Sequence, residues 1–560
     1  VARGGDRAKR GSSQERRASA GGVSPPAASA TRKVEIYDTT LRDGSQLEGI
    51  SLTVDDKLRI AEQLDWLGVD YIEAGWPGAN PKDDELFRRM PGELTLEHST
   101  LVAFGSTRRA KGKVDSDDTL RHLVEAGAPA ACIVGKASEY HVAEALGTSL
   151  DEGVAMVADS VEFLRGAGME VLFDAEHFFD GYRDNPEFSL RVLEGAAERG
   201  ASRLVLCDTN GGTLPHEVER IVGEVVAYFG KDVGVAVHFH DDAGTGVANA
   251  LAGVRAGAVQ VQGTINGYGE RTGNCNLTTI IPNLTLKMGL ETIPRDRLER
   301  LTPVSHHVAE LVNMALNPQA PYVGESAFAH KAGIHTSAIR KRPDAYEHVP
   351  PETVGNGTRF VVSELAGKST ILLKAEELGL ELDGPQVSDV VDTLKRMEHE
   401  GYHFEVADAS LELLMRRAGG WEQPWFRVES FRVITDDLEA DQTPGGVSTE
   451  ATIKVHVGSE RVVATAEGNG PVNALDSALR RAVGAKLPAL DRIHLTDYKV
   501  RVLDTQKGTG AVTRVLIDST NGNRAWTTIG VSENIIEASW QALFDSLVYG
   551  LLHAEESPGT

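Results

Sequence analysis

Cysteine is scarce in these 560 residues: there are three, Cys132, Cys207 and Cys275, far apart and matching no zinc or redox spacing. A disulfide scaffold is thereby excluded, and the thiols suit a reducing cytoplasm. Positive charge is also short, with 57 Lys and Arg against 82 Asp and Glu for a formal net charge of −25. Nucleic acid and an anionic membrane surface both require a basic footprint, so neither is an expected partner. No window approaches the run of about 18 apolar residues that spans a bilayer. A glycine-rich dinucleotide fingerprint is missing from the first strand-to-helix turn, "TTLRDGSQLEG", which argues against a doubly wound open sheet.

What is present is ordinary globular stock, 41% hydrophobic and 25% charged, in a chain too long for one core. Residues 1–32 stand apart, rich in Arg, Ser, Ala, Gly and Pro and almost without large apolar side chains. Such a segment cannot offset its chain entropy by burial and reads as disordered. From Val34 a rhythm begins of short strand-like runs followed by amphipathic helical stretches, many closed by Gly. The strands are "VEIYDTT", "VDYIEAG", "LVAFG", "ACIVGKA", "EVLFDAEHF", "RLVLCDTN", "VAVHFH" and "VQVQGTIN". Eight strands alternating with helices over about 260 residues predict a (β/α)8 TIM barrel across 33–300. Residues 301–424 read as helical linker subdomains. The region 425–560 reads as an α+β domain in which a βββα unit of about 65 residues occurs twice.

A barrel of this kind carries its chemistry at the C-terminal ends of its strands. Those ends hold Arg42 and Asp43, Glu73, Asp174 and Glu176, Asp208 with Thr209 and Asn210, and His238 and His240, followed by Glu270, Arg271 and Asn274. In "VHFHDDAG" strand alternation points His238 and His240 to one face. Alone, such a pair is more often two hydrogen-bonded interior histidines. Joined by Asp43 and the amide of Asn274 it makes a mixed O/N set for a divalent cation, Mg²⁺, Mn²⁺ or Zn²⁺, with positions left open. Such an ion polarises a keto-acid carbonyl, Arg42 faces the developing alkoxide, and Glu73 is placed to hold the guanidinium in a bidentate pair.

The stretches "YDTTLRDGSQLEG", "YIEAGWPGANPKD", "HFHDDAG", "QVQGTINGYGERTGNCNL" and "FAHKAGIHTSAI" resemble the acyl-CoA condensing metalloenzymes that include 2-isopropylmalate, homocitrate and citramalate synthases. Within that group, "GWPGANPKD", "DAEHFFDGY" and "QGTINGYGERTGN" are most similar to the bacterial (R)-citramalate synthases. The resemblance implies condensation of acetyl-CoA with pyruvate and water to citramalate and CoA, a step toward isoleucine. It implies Asp43, His238, His240 and Asn274 as metal ligands, and Arg42, Glu73 and Thr209 on the keto acid. Glu176, His335 and Tyr346 fall on catalytic positions, with His335 as the base that takes a proton from the acetyl methyl. His330 has no such assignment, and Ser337 departs from an acidic residue that relatives carry. The duplicated C-terminal domain resembles the family's regulatory domain, with isoleucine as the expected effector and a homodimer as the expected assembly. Gln46 is a candidate to support the ligand residues from behind, and Phe104, Val134, Lys136 and Phe173 are candidates for the pocket that selects the keto acid. Other 2-keto acids, and a metal-dependent lyase on the same barrel, remain the alternative readings.

Overall fold

The computed structural model describes residues 32–230, 232–330, 342, 346–360, 368–437, 447–503 and 505–554. The basic segment 1–31 and His335 lie outside the described residues. Two compact units divide the chain, residues 1–298 with 307–314 and residues 299–306 with 315–560.

In the first unit eight parallel strands close a barrel: β1 Glu35–Asp38, β2 Tyr71–Gly75, β3 Thr100–Ser106, β4 Ala130–Lys136, β5 Glu170–Glu176, β6 Arg203–Asp208, β7 Gly234–Phe239 and β8 Gln260–Gly263. Closure is the pairing of β1 with β8, in which Tyr37 lies opposite Gln262 and Asp38 opposite Gly263. The intervening helices begin where the sequence supplies caps. Thr53 and Asp56 form a reciprocal capping box on the helix Val54–Leu67, which ends at Gly68 with φ 93°. Helix Pro81–Glu93 starts under the Asn80 side chain, and helix Leu150–Gly166 under Ser149.

Alternation along each strand sends every second side chain inward. Tyr37, Tyr71, Val102, Phe104, Cys132 and Leu172 fill the lumen as one apolar plug, with Tyr37 and Tyr71 stacked at 5.8 Å. Below the plug Arg203 Nε and Gln260 Nε2 donate to Glu35 at 2.9 and 3.0 Å, closing the N-terminal end with a polar group. Above it the inward positions turn polar, so the barrel opens for chemistry at the strand C-termini.

The second unit contains the helices Lys368–Glu377, Gly384–Glu400 and Asp408–Ala418, preceded by two paired dipeptides, β9 Ala329–His330 and β10 Arg359–Phe360. Two antiparallel three-stranded sheets follow: β11 Arg427–Asp437, β12 Val447–Val457 and β13 Glu460–Gly468, then β14 His494–Val502, β15 Thr513–Thr520 and β16 Ala525–Ser532. Each sheet is followed by a helix, Pro471–Val483 and Ile535–Leu552, so the βββα unit does occur twice. Ala451, Ile453 and Val455 of the first sheet and Val515 and Ile517 of the second meet Leu475, Leu479, Ala538 and Leu547 of those helices in one core. No helix among the described residues is long and apolar enough to cross a membrane. All three cysteines are buried free thiols.

Candidate active site

Asp43 follows the end of β1, His238 lies within β7 and His240 directly follows it. The chain topology brings one ligand atom from each to within 4.8 Å of the others. The two Nε2 atoms lie 3.4 Å (His238) and 3.8 Å (His240) from Asp43 Oδ2, and all three side chains are buried. Burial pushes the Asp43 carboxyl up, but the Arg42 guanidinium and the two imidazoles outweigh it and hold the group well below the usual carboxylate range. Burial, then the neighbouring His238, lowers His240 to about 4, leaving it a neutral donor at pH 7. Buried polar atoms are ordinarily paired, yet His240 Nδ1 and Asn274 Oδ1 have no hydrogen-bond partner. One carboxylate and two imidazoles, gathered and buried together, fit a divalent cation.

Asn274 joins the group by its nitrogen: Nδ2 donates to Asp43 Oδ2 at 3.0 Å and lies 3.3 Å from His238 Nε2. Its oxygen lies 2.0 Å from where a Cβ on Gly269 would stand, so no residue but glycine fits at 269.

Arg42 is fixed on three sides. Its Nε donates to Glu73 Oε1 at 2.6 Å, its Nη1 lies 3.5 Å from Asp43, and its guanidinium sits 3.8 Å above the Phe104 ring. The bidentate pair expected between Arg42 and Glu73 is not formed. Glu73, with 0% of its surface exposed, gives its second oxygen to the Tyr37 hydroxyl and shares the first with Thr39. One nitrogen edge of Arg42 is left for a substrate oxygen.

Glu176 ends β5 in an ion pair with Lys136 at the end of β4. Thr209 follows β6, and its Oγ1 accepts the His177 backbone N–H at 2.9 Å, with His177 at φ 58° and stacked 3.7 Å from His141. Glu176, Lys136 and Thr209 border a cavity of about 600 Å³ that also reaches Gln46, Phe104, Val134, Arg108 and Arg109. Arg108 is tied to Glu152 and Asp159. Arg109, Lys111 and Lys113 follow in the same loop as exposed cations.

Other strand-end residues do not join the Asp43, His238 and His240 group. Asp208 turns both oxygens to Thr213, Asn210 donates to Asp180, and Arg271 pairs with Asp242. Phe173, expected in the keto-acid pocket, is fully buried, and its ring lies 2.9 Å from where a Cβ on Gly135 would stand. It is out of phase with Leu172, which belongs to the lumen plug, so alternation takes it to the opposite face of β5. Tyr346 belongs to the second unit and is 46% exposed. His330 in that unit approaches Glu347 at 3.3 Å, and Glu347 also accepts from Thr358.

Sequence reasoning passed over Gln262 as a site residue. It faces inward on β8, its Oε1 3.0 Å from His238 Nδ1 and its Nε2 donating to Asp174 Oδ1 at 3.2 Å. Burial, then the Glu73 charge, raises the Asp174 carboxyl.

Three family models match consecutive stretches: HMGL-like over 33–307, homocitrate synthase post-HMGL domain-like over 322–402, and LeuA allosteric (dimerisation) domain over 405–551. An (R)-citramalate synthase of Aquifex aeolicus is 51% identical over 94% of this chain and 99% of its own. The (R)-citramalate synthase of Streptomyces coelicolor is 51% identical over 93% of this chain and 97% of its own. That of Sulfolobus acidocaldarius is 44% identical, also covering 93% and 97%. With that identity sustained across the barrel, the helical stretch and the duplicated sheets, this chain belongs to the (R)-citramalate synthase family.

Proposed function

We propose that this chain condenses acetyl-CoA with pyruvate and water to (R)-citramalate and CoA. The observation that carries the reading is the buried Asp43, His238 and His240 group under the Arg42 guanidinium, in a chain with near-full-length citramalate synthase relatives. A divalent cation held by Asp43, His238 and His240 would supply Lewis-acid polarisation of the keto carbonyl. Asp43 only accepts hydrogen bonds, so it draws in the N–H side of the Asn274 amide; with the amide turned over, Asn274 would offer its oxygen as a further ligand to such a cation.

Arg42 stabilises the alkoxide that develops at the former keto oxygen, and Glu73 with Phe104 keeps the guanidinium from following the substrate. The Thr209 hydroxyl already accepts from His177, so its own hydrogen is directed elsewhere and suits the pyruvate carboxylate. Phe104 and Val134 border the space for the keto-acid side chain. Glu176, paired with Lys136, stands on the acetyl side. His335, aided by Tyr346, is the base for the acetyl methyl, and water then cleaves the thioester. The exposed Arg109, Lys111 and Lys113 offer a local basic surface to the phosphates of CoA on an otherwise acidic chain. The C-terminal unit serves as homodimer contact and isoleucine-responsive regulator. The three buried thiols suit a cytoplasmic setting.

The test is CoA thiol release from acetyl-CoA with Mg²⁺, Mn²⁺ or Zn²⁺ and each of pyruvate, 2-ketoisovalerate and 2-ketoglutarate. Release with pyruvate alone is the expected result. Preference for a bulkier keto acid moves the substrate assignment, and no release with any of them overturns the synthase reading.

A further inference from the structure

The His238 ring faces two different neighbours with its two nitrogens. Nε2 points toward Asp43 and Asn274, and Nδ1 points toward Gln262 of β8. A neutral imidazole has one N–H and one lone pair, so only one of its two tautomers leaves Nε2 free to donate an electron pair. Something must choose it.

The choice can be traced one residue further out. An ionised Asp174 accepts and never donates, so the Gln262 group 3.2 Å from its Oδ1 is the amide nitrogen. With the nitrogen turned to Asp174, the Gln262 oxygen is the atom 3.0 Å from His238 Nδ1. That oxygen only accepts, so Nδ1 carries the hydrogen and Nε2 keeps its lone pair. The order of donors and acceptors runs Asp174, Gln262, His238 in one direction and is set at the carboxylate. All three side chains are buried.

We infer that Gln262 and Asp174 are positioning residues that hold His238 in the tautomer whose Nε2 is available to a divalent cation. Neither needs to touch the cation to do this. His240 has no equivalent, since its Nδ1 is buried without a partner, so the two imidazoles of one strand are held to different degrees.

The inference rests on the reading of Asp43, His238 and His240 as a cation site and on nothing in the condensation chemistry. It is therefore tested by Mn²⁺ binding to the full chain without substrate, with free Mn²⁺ measured by electron paramagnetic resonance. Gln262→Leu removes the acceptor at similar volume and is expected to weaken Mn²⁺ by about 10–100-fold. The double substitution Asp174→Asn with Gln262→Glu keeps net charge and exchanges the two chemical groups. The amide introduced on β5 then donates to the carboxylate introduced on β8, and that carboxylate accepts from His238 Nδ1. This double variant is expected to bind within about threefold of the wild type, and circular dichroism confirms that each variant compared is folded. Wild-type affinity in Gln262→Leu overturns the inference, and so does a folded double variant that binds far more weakly than the parent. Failure of the unsubstituted chain to bind Mn²⁺ instead overturns the cation-site reading itself.

Discussion

Strand β7 and strand β15 bury their side chains by different rules. Along β7, Val235 to Phe239 are all buried, because the lumen covers one face and helices the other. Along β15 burial alternates at every residue from Thr513 to Thr520, because a helix covers only one face of that sheet. In a strand covered on both sides, a histidine is conspicuous: an apolar residue would satisfy either face, so a polar one marks a site or a buried bond. In a strand covered on one side, polar residues are the normal outward half of the pattern and carry no such signal. The barrel therefore advertises its chemistry in sequence, whereas the C-terminal sheets advertise only their fold.

The sharpest way to break this contrast is to truncate the conspicuous residues. His238→Ala and His240→Ala are each expected to lower kcat/KM by about 10³-fold or more, several kcal/mol of Lewis-acid stabilisation being lost. Turnover surviving in a chelator-treated sample would remove the site from the mechanism. Arg42→Lys is next. A lysine cannot keep one edge on Glu73 and offer another to the alkoxide, so kcat should fall about 10²–10³-fold with little change in pyruvate KM. An unchanged kcat would make Arg42 a partner of buried Glu73 and nothing more.

A core truncation in the sheets should do the reverse. Leu475→Ala, at a fully buried position against the first sheet, is expected to cost about 2–5 kcal/mol, read by calorimetry, and to leave kcat at 25 °C unchanged. A rate effect as large as that of Arg42→Lys would mean the two regions are not separable in this way.

The smallest effect lies beneath the barrel mouth. Burial raises the Asp38 carboxyl to about 7, although its oxygens accept from the Thr40 N–H and hydroxyl, each at 2.9 Å. Its folded-state value lies above that of a free aspartate, so the stability it confers is complete below about pH 4 and is lost as pH rises toward 7. The slope is at most roughly 1.4 kcal/mol per pH unit. Asp38→Asn should therefore gain in melting temperature relative to the parent between about pH 5 and pH 7. A constant difference across that range would mean the carboxyl titrates normally.

The eight barrel strands were legible as short, largely apolar runs alternating with helical stretches, because most of their side chains are buried on both faces. Caps such as Thr53 and Asn80 set where helices begin. The buried Asp43, His238 and His240 were legible as a group at strand ends because a parallel barrel places every such end at one mouth. Reading stopped at relations across the lumen. Asp208 and Thr209 are neighbours in sequence, yet Thr209 borders the cavity and Asp208 is consumed by Thr213. Glu73 was expected to hold Arg42 in a bidentate pair and instead divides its oxygens among Arg42, Tyr37 and Thr39. Gln262 was not singled out in its strand and is the partner of His238.

By itself the sequence determined the barrel, the duplicated sheets and the residue types at the mouth, since periodicity and chain-end caps are local properties. Only the tertiary structure decided which groups touch. Asp174, His238 and Gln262 lie on three different strands, and hydrogen bonds of 3.0 and 3.2 Å between them exist only once the barrel has closed and fixed their heights around the lumen. Donor and acceptor order is a property of that closed ring, because each side chain has another bonding choice until its neighbour's position removes it.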